Sequence, residues 1–183
     1  MFVLINGSFG IGKTTLAKRL AADMSGAVIS DPEDVGYVLQ RTPAFLLGMK
    51  RKPANYQDMA LWRRLIIMQA VLKHRSARIV ILPMAFTDKA YFTALETKLA
   101  QTAPVLKLCL IAPLATVRER LEARAASEKR PLGEFEIRRS AQCVAAHADP
   151  IFGRPVDAMQ SPNELAATLR AMIDAEAFRP ASP

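Results

Sequence analysis

Eight residues near the start of the chain combine types and spacing suited to phosphate chemistry: Gly7, Ser8, Phe9, Gly10, Ile11, Gly12, Lys13 and Thr14. Glycine, four variable residues, glycine, lysine and a hydroxyl residue describe a loop whose backbone curls until successive N–H groups point inward at phosphate oxygens. The positive end of a following helix stands behind them. On this reading Lys13 reaches the β- and γ-phosphates of a nucleotide and Thr14 ligates Mg²⁺. A plain glycine-rich turn would explain neither the lysine nor the threonine.

Phosphoryl transfer also needs a group to take the acceptor's proton, cations over the triphosphate and walls for the acceptor. Asp31 ends the second strand candidate beside the loop, where open α/β sheets bind ligands. It suits a helix cap equally well, with Pro32 at the first helical position and Asp34 at the capping-box position, and the two roles are compatible. The third strand candidate ends Leu82-Pro83 without an acid, so a carboxylate beside the metal must come from Asp31, Glu33 or Asp34. Arginines bunch at Arg118, Arg120, Arg124, Arg130, Arg138 and Arg139. Arg120, Arg124 and Arg130 are the candidates for offsetting charge during transfer, although a solvated helix face accounts for any single one more simply. For the acceptor pocket the candidates are Asp31, Asp34, Trp62, Arg63, Met84 and Phe86. Ordinary core packing is the commoner role of such aromatic and methionine residues. Cys143 and His147 share a helix face, but no second pair completes a zinc site, so a structural role is expected.

The elements that position these residues read as alternating strands and helices. Strands are expected at Phe2–Ile5, Ala27–Ser30, Ala77–Leu82 and Val105–Ala112, with a weak fifth at Val156–Met159. Helices are expected at Lys13–Ser25 and Val35–Leu47, the latter disturbed by Pro43, and then at Asp58–His74. One more starts beyond a Thr87 cap, and others cover Leu114–Ala125, Phe135–Ala148 and a stretch from the Ser161–Glu164 capping box to about Phe178. In Asp58–His74, Leu61, Leu65, Met68 and Leu72 form one apolar stripe, with Trp62 and Ile66 widening it. Residues 48–57 read as a mobile basic connection and 126–136 as an arginine-bearing mobile flap, while Arg179–Pro183 reads as a frayed tail. Five strands alternating with helices call for a parallel sheet covered on both faces.

At 183 residues and 51% hydrophobic content, the chain is sized for one domain. Lysine and arginine exceed the acids by 25 − 17 = 8, which suits anionic partners. The clustering of arginine favours a local anion site over a nucleic-acid footprint, and no nucleic-acid motif or aromatic-rich basic strand is present. Two cysteines, no signal-peptide pattern and no apolar run long enough to cross a bilayer give the expectation of a cytoplasmic protein without stable membrane insertion. The oligomeric state stays open, with a homodimer among the options.

Ile5-Asn6-Gly7-Ser8-Phe9-Gly10-Ile11-Gly12-Lys13-Thr14, Asp31–Gly36, Leu61–Arg63, Leu82–Met84 and Asp149–Phe152, in that order, resemble the tunicamycin-resistance ATP-binding protein family. The likeness spans nearly the whole chain. It implies a three-layer phosphate-loop NTPase of nucleoside- and shikimate-kinase type, a single domain over 1–183, a five-stranded parallel sheet and a short helical lid at about 126–140. ATP and Mg²⁺ are then the implied cofactors. Carried over by position, Gly7, Gly10, Gly12, Lys13, Thr14 and Thr15 map to the nucleotide site, Asp31 to the acceptor-side carboxylate, and Arg120 and Arg124 to arginines near phosphate or adenine. The implied activity is phosphotransfer to a hydroxyl of a nucleoside or sugar-nucleotide-like antibiotic. The alternative is ATP-dependent sequestration of that molecule without modification, for which Phe45, Leu46, Leu47 and Met49 beside a basic loop would supply apolar contact.

Overall fold

Strands β1 (Phe2–Gly7), β2 (Ala27–Ile29), β3 (Ile79–Met84), β4 (Val105–Ile111) and β5 (Arg154–Asp157) pair in the order β2-β3-β1-β4-β5, all parallel, in a computed structural model that describes residues 1–53 and 55–177. Side chains alternate across a strand, so each strand feeds two cores. Val3, Ile5, Ile81, Leu108, Leu110 and Val156 meet helices α1 (Lys13–Asp23), α5 (Leu114–Ser127) and α7 (Pro162–Ala177) on one face. Phe2, Leu4, Val80, Leu82, Met84 and Cys109 meet α2 (Pro32–Arg41), α3 (Ala60–His74) and α4 (Lys89–Ala100) on the other. The result is the three-layer α/β arrangement expected, with α6 (Glu134–Ala146) following α5 as the second arm of a helical lid. Among the described residues no helix is long and apolar enough to cross a membrane.

Several local readings change. In α3 the buried stripe is Trp62, Ile66 and Ala70, whereas Met68 and Leu72 are 52% and 49% exposed. With apolar residues nearly all round this helix, periodicity allows several overlapping stripes. Packing chooses the one whose indole reaches a buried acceptor and whose Ala70 lets the backbone approach the sheet. The cap of α4 is Asp88, which accepts from the Tyr91 N–H at 2.8 Å, not Thr87. The stretch 32–47 divides at Pro43 into α2 and a separate 3₁₀ turn, Ala44–Leu47, since proline cannot continue the hydrogen-bond ladder. β5 begins two residues earlier than expected, at Arg154. The helix end at Phe178 and the tail at 179–183 lie outside the described residues.

β3 runs through Pro83 to Met84, beyond the expected Leu82. Proline is tolerated there for a geometric reason. Ser30 donates to the Ile81 carbonyl and Val80 to the Met1 carbonyl, so odd-numbered residues of β3 face β2 and even-numbered ones face β1. The last paired residue of β2 is Ile29, opposite Ile81, so the N–H that Pro83 lacks would have pointed past the end of its neighbour.

Gly153 enters β5 with φ of +123°, and a Cβ built on it would lie 2.8 Å from the backbone carbonyl carbon of Lys107 and 2.9 Å from the Leu108 nitrogen. Backbone cannot yield as a flexible side chain does. Gly153→Ala is therefore expected to lower the unfolding free energy by about 2–3 kcal/mol. Gly48→Ala, at φ of +68° in open space, should lose about 1 kcal/mol. Urea denaturation of the two variants checks the contrast, and equal losses would discount the contact with β4.

Candidate functional site

The carboxyl ends of β1, β2 and β3 open onto a cleft of about 430 Å³. Its first wall is the glycine-rich loop joining β1 to α1. Gly10 and Gly12 sit at φ of +75° and +98°, conformations open to glycine at little penalty, and they turn the chain tightly enough for α1 to begin at Lys13. No side chain caps α1 and no acid occupies its first turn. Its leading N–H groups thus stay available to an anion. Lys13 folds back so that Nζ donates to the Ser8 carbonyl at 2.7 Å, and it lies 5.8 Å from the Phe9 ring centroid. Burial lowers its ammonium to about 8, a shift partly opposed by Glu33 and Asp31 across the cleft. Thr14 and Thr15 are exposed to the same cavity.

Asp31, Pro32 and Glu33 form the facing wall. Asp31 caps α2, accepting from the Glu33 N–H at 2.9 Å through one carboxylate oxygen. Burial raises its carboxyl and that of Glu33 above the usual carboxylate range. In Glu33 the neighbouring Asp31 adds to the effect, while Lys13 opposes it in both.

A third wall comes from Trp62, Met84 and Phe86, each nearly fully buried yet bordering the cavity. The Trp62 indole N–H donates to the Pro32 carbonyl at 3.1 Å, and Tyr56, Trp62 and Phe86 follow one another at ring separations of 5.1 and 5.7 Å. Packing and lining are one arrangement here.

Two helix arginines from the opposite side complete the cleft. Arg120 donates to the Ala158 carbonyl at 2.9 Å, and Arg124 is held by Glu128 at 2.8 Å. Arg130 is not among the lining residues. Its guanidinium grips Glu136 through two nitrogens, at 2.7 and 2.9 Å, and reaches Glu128 at 2.6 Å. The Arg124–Glu128–Arg130–Glu136 chain, with Lys129 at φ of +51°, reduces the expected flap to a short structured turn between α5 and α6. α6 leans back on the phosphate loop through Ser8, whose hydroxyl donates to the Ser140 carbonyl at 3.2 Å, and through an edge contact of Phe135 with Phe9.

Asp34 and Arg63 also stand outside the lining. Asp34 is on the exposed side of α2. Arg63 stacks on Tyr91 at 3.9 Å and donates to the Gln57 carbonyl at 2.6 Å. Ile11 faces the core beneath the loop rather than the cavity. Cys143 is buried, and His147 serves a structural bond: the Phe86 carbonyl can only accept, so His147 donates from Nε2 at 2.8 Å. Burial lowers this imidazole to about 4, which keeps it neutral.

Sequence reading missed Tyr56 and Gln57, which the expected mobile connection instead brings into the cleft on the 3₁₀ turn Tyr56–Asp58. Gln57 is buried and donates to the Ala85 carbonyl at 3.2 Å. The available signal was Asn55, an Asx cap whose side chain accepts from the Gln57 N–H at 3.1 Å. Asn6 was overlooked as well. Its amide accepts from the Phe86 N–H at 2.9 Å and donates to the Phe86 carbonyl at 3.2 Å, and a polar residue closing an apolar strand was the clue.

Among solved structures, the chain is similar to the tunicamycin resistance protein of Deinococcus radiodurans, at 24% identity and a TM-score of 0.73 over 94% of each chain. A gluconokinase from Sinorhizobium meliloti gives 15% identity and a TM-score of 0.67 over 96% of this chain and 92% of its own. Shikimate kinase from Acinetobacter baumannii gives 16% and 0.62 over 97% and 95%. These likenesses establish a kinase-like phosphate-loop fold. No curated protein sequence matches the chain. A family profile described as "AAA domain" matches residues 2–143, from the first strand into α6, and the chain belongs to that family.

Proposed function

We propose that the protein is an ATP-dependent phosphotransferase acting on a hydroxyl group of a small polar molecule. The observation that carries this reading is the sharing of one cleft by an uncapped helix start with Lys13 on one wall and the Asp31 carboxylate on the other. The triphosphate would lie along the loop, taking the α1 N–H groups and drawing Lys13 from the Ser8 carbonyl. Arg120 and Arg124 flank it. The acceptor would rest on Trp62, Met84 and Phe86, with Gln57 and Tyr56 at its rim. Its hydroxyl proton passes to Asp31 as its oxygen bonds to the γ-phosphorus and the bond from that phosphorus to the β-phosphate oxygen breaks, releasing ADP. Asp31 then returns the proton to water. Burial makes Asp31 a better base than an exposed aspartate.

Mg²⁺ fits the donor set of Thr14 with Glu33, leaving Asp31 to the acceptor hydroxyl, since it retains several waters and takes phosphate oxygens instead of a dense protein cage. Among the described residues there is no group of three or more His, Cys, Asp or Glu that would suit a tighter site. When bound, the ion supplies neutralisation of the β- and γ-phosphate charge. The finer form of the reading is a cytoplasmic enzyme whose acceptor is a nucleoside antibiotic, supported by the structural likeness to a tunicamycin resistance protein. The sequestration reading draws on Phe45 and Leu46, 75% and 65% exposed beside Lys50 and Arg51. Mass spectrometry of candidate acceptors incubated with protein, ATP and Mg²⁺ separates the two. An added phosphate supports transfer, and tight ATP-dependent retention of unmodified ligand supports sequestration.

Lys13→Met should reduce turnover by about 10³-fold or more with an unchanged circular dichroism spectrum, and near-normal phosphate transfer in that variant would remove the mechanism. Asp31→Asn separates two roles, because asparagine caps a helix as well as aspartate does. The thermal midpoint is expected to hold while kcat falls by about 10²–10⁴. Full activity in Asp31→Asn would leave Asp31 a cap alone.

Binding should also depend on pH through Lys13. Burial favours its neutral form in the free protein, whereas the triphosphate favours the ammonium, so binding raises its pKa and takes up a proton. ATP affinity is then expected to level off below pH 8 and to fall by up to about tenfold per unit as pH rises through about 8. Titration with a fluorescent ATP analogue tests this, and a Lys13→Met profile as steep as the wild type would refute it.

A further inference from the structure

Arg139 sits on α6 with 8% of its surface exposed, and its Nη2 atom is buried without a hydrogen-bond partner. The other terminal nitrogen, Nη1, donates to the Gln142 side-chain oxygen at 3.0 Å and to the Thr87 hydroxyl at 3.3 Å. Both partners are neutral, and among the described residues no carboxylate pairs with this guanidinium. A buried cation with no counter-charge is strongly unfavourable, and the remaining lone donor adds a further penalty. Every other arginine of the cleft and lid has a different setting: Arg118 and Arg138 are exposed, Arg120 is part-exposed, and Arg124 and Arg130 share Glu128.

Arg139 lines a small void of about 80 Å³ with Gln40, Asn55, Tyr56, Gln57, Phe9 and Phe135. Tyr56, Gln57 and Phe9 border the main cleft too, so the void is a side chamber of it. Four of the lining residues belong to α2 and to the segment entering and forming the 3₁₀ turn, which is the acceptor side. Lys13, Arg120 and Arg124 of the donor side are absent from it. Its remaining polar groups are the amides of Gln40, Asn55 and Gln57 and the Tyr56 hydroxyl. Burial raises the Tyr56 phenol above its ordinary range, so it remains a neutral donor. Neutral donors around one guanidinium, without an acid, form a receptor for an oxyanion.

We propose that this chamber binds a carboxylate or phosphate group of the acceptor, with Arg139 as the charge-bearing specificity residue. The proposal rests on the phosphotransferase reading for the word acceptor, and on the chamber alone for the anion. It narrows the substrate to small molecules that carry a hydroxyl within reach of Asp31 and an oxyanion at the other end. Arginine fixes such a group through paired donors, which would set the hydroxyl's direction towards the phosphate loop.

The test uses inorganic phosphate as the probe and keeps the γ-phosphate position filled by the non-hydrolysable β,γ-methylene analogue of ATP. Calorimetric titration of the analogue-saturated wild-type protein with phosphate should show saturable binding, weakened at least tenfold in Arg139→Met and less so in Arg139→Lys. Affinity for the analogue itself should be the same in all three proteins. No phosphate binding to the wild type, or equal binding in Arg139→Met, overturns the proposal and leaves Arg139 a packed strut. Loss of analogue affinity in Arg139→Met without loss of phosphate binding reassigns Arg139 to the γ-phosphate and overturns it as well. Should Arg139→Met fail to fold, the wild-type and Arg139→Lys titrations decide the matter by the same criterion. Failure of the wild type to bind the analogue would instead count against the donor site, and the phosphate titration of the free protein would still decide on Arg139.

Discussion

The site depends on a buried amide. Asn6 lies next to the end of β1, just before the phosphate loop, and its side chain pairs with both the N–H and the carbonyl of Phe86, two residues past the end of β3. His147, from the turn after α6, gives the same carbonyl a second donor. Three segments far apart in sequence are thereby held at one point: the loop that would take the nucleotide, the wall that would take the acceptor and the base of the lid. Each of these groups is shut away from water, so a broken bond leaves a donor or acceptor unsatisfied at about 1–3 kcal/mol apiece. Neutral groups suit the position. A charged imidazole here would face Lys13, and the lowering of His147 reflects burial first and Lys13 afterwards.

Charge in the cleft is arranged in separate banks. Lys13 and the α1 N–H groups stand on one side, Asp31 and Glu33 on the other, with no ion pair between them. Each bank is left in an unfavourable state by burial, which lowers the lysine and raises both acids. A direct Lys13–Asp31 contact would relieve both and close the cleft. The loop prevents it by giving Lys13 the Ser8 carbonyl, a neutral acceptor that an incoming phosphate can outcompete. A site of this kind suits a polyanion and a cation together, because each relieves one bank.

Much of this was legible in the residues, and the failures have physical causes. The loop is readable because its chemistry fixes both types and spacing, and the sheet because alternate residues of β1 and β3 must feed opposite cores. The buried stripe of α3 was not, since Trp62 is selected by a hydrogen bond to Pro32 that no period encodes. The capping aspartate of α4 lay one residue beyond the threonine that looked equally fit. Tyr56 and Gln57 escaped because a basic, proline-bearing connection looks solvated, yet its last residues pack under Trp62 and Ala85. Arg139 is legible only as one of a bunch: Arg138 and Arg139 are adjacent on a polar helix, and only the packing of α6 against Thr87 buries one of them.

The lid arginines differ in how freely they can be redeployed. Arg130 is bound at both ends, to Glu136 through two nitrogens and to Glu128 through a third, so turning it towards a phosphate would leave Glu136 with the Gly133 N–H and no cation. Arg124 holds only Glu128, which Arg130 also holds. When Arg124 leaves, Glu128 keeps a partner. The Arg124–Glu128 pair is largely exposed and screened by solvent, so a phosphate can draw Arg124 away against little opposition. The same network that ties Arg130 down therefore leaves Arg124 free to reach into the cleft it already lines, and the turn keeps its shape while it does so.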